Sequence, residues 1–140
     1  MSNEGGVAMR VMALDHGSAR TGVAVSDPTG TIVTPLPSVL RVGARKGRRE
    51  LLRLIADREV GRVVVGLPVG LGGHDTAQTT EARAFAATLS EALGPDVPVE
   101  LYDERFTTRM AQATGGTASD EDSRAAAILL EEWLRVRGQH

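Results

Sequence analysis

Three acidic positions in this chain sit where side chains can do chemistry. Asp15 closes the apolar run of residues 11–14, Asp103 and Glu104 close a second run over 97–102, and Asp122 stands just ahead of an alanine- and leucine-rich stretch. Asp15 also has telling company. Gly17 and Gly22 allow close approach of backbone, and Arg20 offers a planar fork for a phosphate. An acid, glycines and an arginine in one hairpin suggest metal and phosphate chemistry. Hydrolysing a phosphodiester at neutral pH requires an activated water and a neutralised leaving oxygen, which two Mg2+ or Mn2+ ions about 4 Å apart can supply. Hard cations take oxygen ligands, so such a cage is built from Asp and Glu. The plainer alternatives are that Asp15 only ends a strand, and that Asp122 completes a capping box with Ser119. Capping and metal binding are compatible with each other.

Composition narrows the classes. The chain has 140 residues, enough for one domain with a genuine core. With 41% hydrophobic residues and only 3% aromatic ones, that core must be aliphatic and alanine-rich. The absence of cysteine excludes disulfides, thiol catalysis and cysteine-ligated zinc. His16, His74 and His140 show no ligand spacing, and no serine lies on a GxSxG-like elbow. Residues 1–8 contain no signal-like apolar stretch and are expected to be a disordered tail, followed by a single domain over 9–138. No run reaches membrane-spanning length, so a cytoplasmic protein without a membrane partner is expected. The formal net charge of −2 lacks the broad basic footprint of a non-specific nucleic-acid binder, although cations bound at an acidic site would offset it.

The acids need elements to hold them. Apolar patterning predicts strands over 10–14 and 22–26, then a third over 31–34 ended by Pro35 and Pro37. A helix is expected over 45–58, with Leu51, Leu52, Leu54 and Ile55 at helical spacing. Its head is basic (Arg41, Arg45, Lys46, Arg48 and Arg49), which is either a solvated face or a phosphate contact. A strand apolar on both faces, VVVGLP from Val63, leads into a glycine-rich loop of weak phosphate-binding character. A helix over 76–93 stopped by Gly94 and Pro95, a strand over 97–102, a short helix over 107–113 and a last helix over 121–136 complete the chain. Ser119 is the expected N-cap of that last helix. Its stripe of Asp122, Ala125, Ala126, Leu129 and Trp133 should face the sheet. Three meandering strands followed by βα repeats give an α/β fold: a five-stranded mixed sheet, first strand central, with helices on both faces. The carboxyl ends of its first and last strands can then present Asp15 and Glu104 to one crevice.

With these residues in place, the chain resembles the YqgF (RuvX) family, described as Holliday-junction resolvases or nucleases of pre-16S ribosomal RNA. The resemblance is carried by LDHGSARTGVAVSD from Leu14, VVVGLP from Val63, YDERFTT from Tyr102 and DSRAAAILLEEWL from Asp122, and it spans most of residues 9–134. It implies a ribonuclease H-like fold and metal-dependent phosphodiester cleavage. Matched position by position, it makes Asp15, Glu104 and Asp122 the catalytic carboxylates and the ligands of Mg2+ or Mn2+, with Asp103 the substitute for Glu104. Arg20, Arg105 and Arg109, with Arg45 and Arg48 from the basic segment, are the candidate substrate contacts. The implied partner is nucleic acid, either RNA in ribosomal precursor particles or branched DNA, bound by a monomer or a homodimer. The chain departs from the family pattern at Ala19, where lysine is frequent, at Gly70, Gly72 and Gly73, and at Asp120 and Glu121, where a basic stretch is usual. These departures keep open a non-catalytic RNA-binding assembly factor. A phosphotransferase of the actin and sugar-kinase type would need two such lobes, and 140 residues supply one.

Overall fold

The computed structural model describes residues 9–17, 19–69, 72–104 and 118–137, with side chains of the last segment from Glu121 onward. The expected tail over 1–8, the short helix over 107–113, and Arg105 and Arg109 lie outside the described residues. The elements run β1 (Arg10–Asp15), β2 (Arg20–Ser26), β3 (Val33–Leu40), α1 (Arg45–Asp57), β4 (Val60–Leu67), α2 (Ala77–Leu93), β5 (Val99–Asp103) and α3 (Ala118–Arg137). They build a five-stranded sheet in the order β3-β2-β1-β4-β5. β1 is antiparallel to β2 and parallel to β4, and β4 is parallel to β5. The mixed sheet with its first strand in the middle matches the sequence-based expectation.

Hydrophobic alternation assigns the two faces. Met12 and Leu14 of β1, Val23 of β2 and Val63 and Val65 of β4 pack with Leu51 and Ile55 of α1 and Ala86 and Leu89 of α2. Val11, Ala13, Ala24 and Val64 point the other way, onto Ala126, Leu129, Leu130 and Trp133 of α3. Strands covered on both faces must be apolar throughout, which is why β1 and β4 read as unbroken aliphatic runs.

The structure corrects three expectations. β3 does not stop at Pro35; it continues through Pro35 and Pro37 to Leu40. Proline is excluded from central strands because it cannot donate to the ladder, but β3 is an edge strand and one side of its backbone needs no partner. α3 begins at Ala118, so Ser119 lies within the helix rather than capping it. The cap found instead is at α2, where Thr76 and Thr79 bond reciprocally. The expected stripe of α3 holds at Ala126, Leu129 and Trp133 but not at its first turn, where Ser123 is 1% exposed and the Asp122 side chain is 42% exposed.

Ser123 ties α3 to the sheet. Its hydroxyl accepts a bond from the Val23 amide at 3.0 Å, across 100 residues of sequence, and lies 3.4 Å from the Ser38 hydroxyl. At the far end of the helix, Trp133 donates its indole N–H to Glu100 on β5 at 2.6 Å. Arg62 and Arg137 both reach the other oxygen of Glu100 at 2.9 Å. Replacing Ser123 with alanine would leave the buried Val23 amide without a partner. Ser123→Ala is therefore expected to lose about 1–3 kcal/mol of stability, read as a lower urea midpoint at unchanged slope. A midpoint equal to that of the parent protein would show that the bond does not anchor the helix.

Candidate active site

The carboxyl ends of β1, β4 and β5 lie together, and the site is built across them. Asp15 is the last residue of β1 and Glu104 follows the last residue of β5, so β4 runs between them. The β4 residue at that level is Gly66. A side chain there would run into the Glu104 carboxylate, so its absence opens the space through which Glu104 reaches Asp15. The two side chains share a hydrogen bond. On the other flank Asp15 pairs with Gly22 of β2, and a side chain at 22 would strike the backbone of Asp122 and Ser123. Two glycines, on the strands that flank β1 on either side, thus bring the head of α3 and the end of β5 around one aspartate.

Burial sets the electrostatics. It raises the Asp15 carboxyl above its ordinary value of 3.8, the hydrogen bond from Glu104 opposes that rise, and the nearby charge of Asp122 adds to it. Burial also pushes Glu104 well above the usual carboxylate range, helped by its hydrogen bond to Asp15 and by the charges of Asp15 and Asp103. A hydrogen bond between two carboxyls needs a proton on one of them, so the pair shares one proton. Sharing a proton spares the half-buried pair the repulsion of two adjacent negative charges.

Asp122 stands at the rim. Its carboxylate faces Arg20, with Nε to Oδ2 at 3.5 Å, and both side chains are about half exposed, 52% for Arg20 and 42% for Asp122. Asp122 therefore interacts with Asp15 through charge but is not closed onto it. Among the described residues, no three His, Cys, Asp or Glu side chains form a ready coordination cluster. In donor chemistry the residues present nevertheless fit a hard divalent cation: all are carboxylates, and the half-buried pair carries a proton that a cation can replace. Asp103 ends β5 opposite Leu67, and it is Glu104 that reaches Asp15.

The remaining sequence-predicted residues divide between the two faces. Arg20 reaches the site, while Arg45 and Arg48 lie in the first turn of α1, which starts at the same end of the sheet. The Arg41 amide bonds the Ala19 carbonyl at 3.0 Å, fixing the β3–α1 connection to the β1–β2 turn. Arg45, Lys46, Arg49 and Arg53, with Glu50 among them, line a mainly basic groove of about 480 Å³. The residue that sequence reasoning missed is His16. Its ring stacks on Phe85 with centroids 4.4 Å apart, and its nitrogens face Thr21 at 3.3 Å and Glu81 at 3.6 Å. Burial lowers its proton affinity, with Glu81 opposing the shift. A lone histidine in a turn has no ligand spacing to betray it; adjacency to Asp15 was the only signal.

A mixed sheet in the order 3-2-1-4-5 with helices on both faces is a RuvC-like fold. The fold superposes on Thermus thermophilus RuvC, solved with a Holliday junction substrate, with a TM-score of 0.60, 17% identity, and coverage of 94% of this chain and 96% of that one. It also superposes on the fowlpox virus Holliday junction resolvase, with a TM-score of 0.56, 10% identity, and coverage of 91% and 99%. At such identities the likeness is one of fold. Sequence narrows the class further: residues 9–136 match the RuvX family model, described as Holliday junction resolvase, and the chain belongs to that family. A relative from Maridesulfovibrio salexigens is 37% identical over 134 residues, covering 90% of this chain and 98% of the relative. One from Mycobacterium leprae is 39% identical over 133 residues, covering 89% and 72%. Both carry the provisional name of pre-16S rRNA nuclease.

The protonated pair has a consequence for stability. Glu104 binds its proton more tightly in the folded chain than at its ordinary value of 4.5. The stability it contributes is therefore complete below that pH and is lost as pH rises toward the elevated folded value. In metal-free buffer, urea unfolding should show stability falling from pH 4.5 upward through neutrality. Glu104→Gln, which keeps the hydrogen bond without a titratable proton, should flatten that fall. A pH slope identical to that of the parent chain would remove Glu104 as its source.

Proposed function

We propose that this chain is a metal-dependent nuclease that hydrolyses phosphodiester bonds in precursor 16S ribosomal RNA, in the cytoplasm and within ribosomal precursor particles. The observation that carries the reading is the meeting of Asp15 and Glu104 across Gly66, with Asp122 alongside, at the carboxyl end of the parallel strands. Family membership and the names of the relatives point the same way. No helix among the described residues is long and apolar enough to cross a membrane.

In this reading Asp15, Glu104 and Asp122 hold Mg2+ or Mn2+, which when bound activates water and offsets charge on the leaving oxygen. The chain's own residues prepare that chemistry. Asp15 and Glu104 are half-buried and already side by side, so their oxygens become available once the shared proton leaves. Arg20 faces Asp122 at the rim at 3.5 Å and, being half exposed, can also reach a phosphate oxygen there. The basic head of α1 tracks the phosphate backbone toward the site. A second reading, cleavage of branched DNA, is favoured by the description of the family model. Symmetric cutting of a four-way junction requires two such sites and hence a homodimer.

Asp15→Asn should abolish Mn2+-dependent cleavage of structured RNA while the variant still folds. It should also lose the rise in melting temperature that millimolar Mn2+ gives the parent chain. Cleavage within a few-fold of the parent would refute the site. Neither cleavage nor a Mn2+ shift in the parent chain would favour a non-catalytic RNA-binding factor. A four-way junction in the same assay separates the two substrates.

The basic groove makes a separate demand. Changing Arg45, Lys46 and Arg49 together to glutamine should weaken RNA binding and flatten its salt dependence, by about one log-log unit for each phosphate no longer neutralised. Turnover at saturation should persist. An unchanged salt slope would assign these side chains to solvation of the helix.

A further inference from the structure

The face of the sheet opposite the carboxylates carries a second feature at the same end, which the proposed hydrolysis leaves unused. It is a cleft of about 230 Å³ between the head of α1 and the exposed side of α2. His16, the residue after Asp15, forms part of its lining, together with the Phe85 ring on which it stacks. Val42 and Leu89 add apolar wall, and both are at most 2% exposed. The polar groups are Arg48 on the α1 side and Glu81 and Thr88 on the α2 side. Arg48 forms no ion pair with any described residue. Glu81 faces His16 with one oxygen, and its side chain is half exposed.

Size and lining together select an occupant. The volume is below the ~300 Å³ at which pockets for drug-sized ligands begin, which suits a single heterocycle. The His16 side chain is 7% exposed and backs the Phe85 ring, so Phe85 and the aliphatic wall are the surface offered to the flat face of an unstacked base, the usual means by which proteins hold single-stranded nucleotides. An uncompensated guanidinium at the mouth accepts the adjoining phosphate, and a carboxylate opposite it accepts hydrogen bonds from an exocyclic amino group. We infer that this cleft is a nucleotide subsite that takes one unpaired base of the substrate strand, with its phosphate on Arg48 and its amino edge on Glu81. It depends on the nuclease reading only for the identity of the strand. The strand then crosses the end of the sheet, from the cleft over the Asp15–His16 turn to the carboxylates. Adenine, guanine and cytosine fit this edge; uracil, with no amino group, fits it less well.

The test needs no cleavage. The full chain, labelled with 15N and free of metal, is titrated with AMP, GMP, CMP and UMP and with ribose 5-phosphate. Amide shifts at Gly43, Ala84 and Thr88, all lining the cleft, should saturate with AMP, GMP and CMP, and UMP should bind about fivefold more weakly. Ribose 5-phosphate, with the phosphate but no base, should give at most small shifts that do not saturate over the same range. Thr88→Trp, on an exposed helical position, should fill the cleft and abolish them. Gly43→Leu serves as a second blocking variant, because a Cβ there meets open space. In oligonucleotide cleavage both should raise KM about tenfold, the equivalent of one good base contact, with a smaller effect on kcat. Equal shifts with ribose 5-phosphate would overturn the base subsite and leave a phosphate site. No shifts in a protein that does cleave RNA would overturn the subsite and leave the nuclease reading standing. Nucleotide shifts that Thr88→Trp removes, in a protein that cleaves nothing, would keep the subsite and end the nuclease reading.

Discussion

Two half-buried carboxyl groups that share a hydrogen bond are the constraint around which this molecule is arranged. Asp15 and Glu104 come from the first and last strands, and β4 lies between them. Taking two such groups out of water is tolerable only if they share a proton or a cation. The surrounding backbone is shaped to allow that meeting. Gly66 leaves the gap through which Glu104 reaches, and Gly22 lets the head of α3 settle directly on β2. A methyl group at either position would collide with a carboxylate in one case and with backbone in the other. Neither collision is relieved by a rotamer change at the glycine itself.

A site made from three separate segments needs its elements locked in place. α3 is held at one end by Ser123 on the Val23 amide and at the other by Trp133 on Glu100. Glu100 also binds Arg62 and Arg137, so β4, β5 and α3 meet at one carboxylate. The Arg137 guanidinium lies 4.6 Å from the Trp133 ring centroid, closing the cluster. These interactions sit at opposite ends of the helix and leave it little freedom to rotate. Rotation would carry Asp122 away from Asp15.

The two faces of the sheet divide the charges. Acids converge on the α3 face, while the cations of α1 gather on the other face at the same end. A net charge of −2 therefore hides a strong local separation. An anionic polymer drawn to the α1 side is led to the carboxylates by proximity alone, because both features crown the carboxyl ends of the parallel strands. The chain's overall charge says little about such steering.

Much of this was legible in the residues. Unbroken aliphatic runs specified strands buried on both faces, and the order of elements specified a mixed sheet with β1 in the middle. Asp15 and Glu104 were marked by standing at strand ends, a local signal. What sequence alone misjudged depends on packing between distant segments. Pro35 and Pro37 read as strand breakers because the edge position that tolerates them is a property of the assembled sheet. Asp122 read as buried because it extends the stripe of Ala126, Leu129 and Trp133 by one turn; the docking of α3 on Gly22 turned Ser123 inward and Asp122 to the rim. His16 gave no sign of its role, since Phe85 and Glu81 come to it from 65 and more residues away. Local patterning decides which residues form strands and helices. Only packing decides which side chains share a proton, because a hydrogen bond between the ends of β1 and β5 exists only once the strand between them is in place.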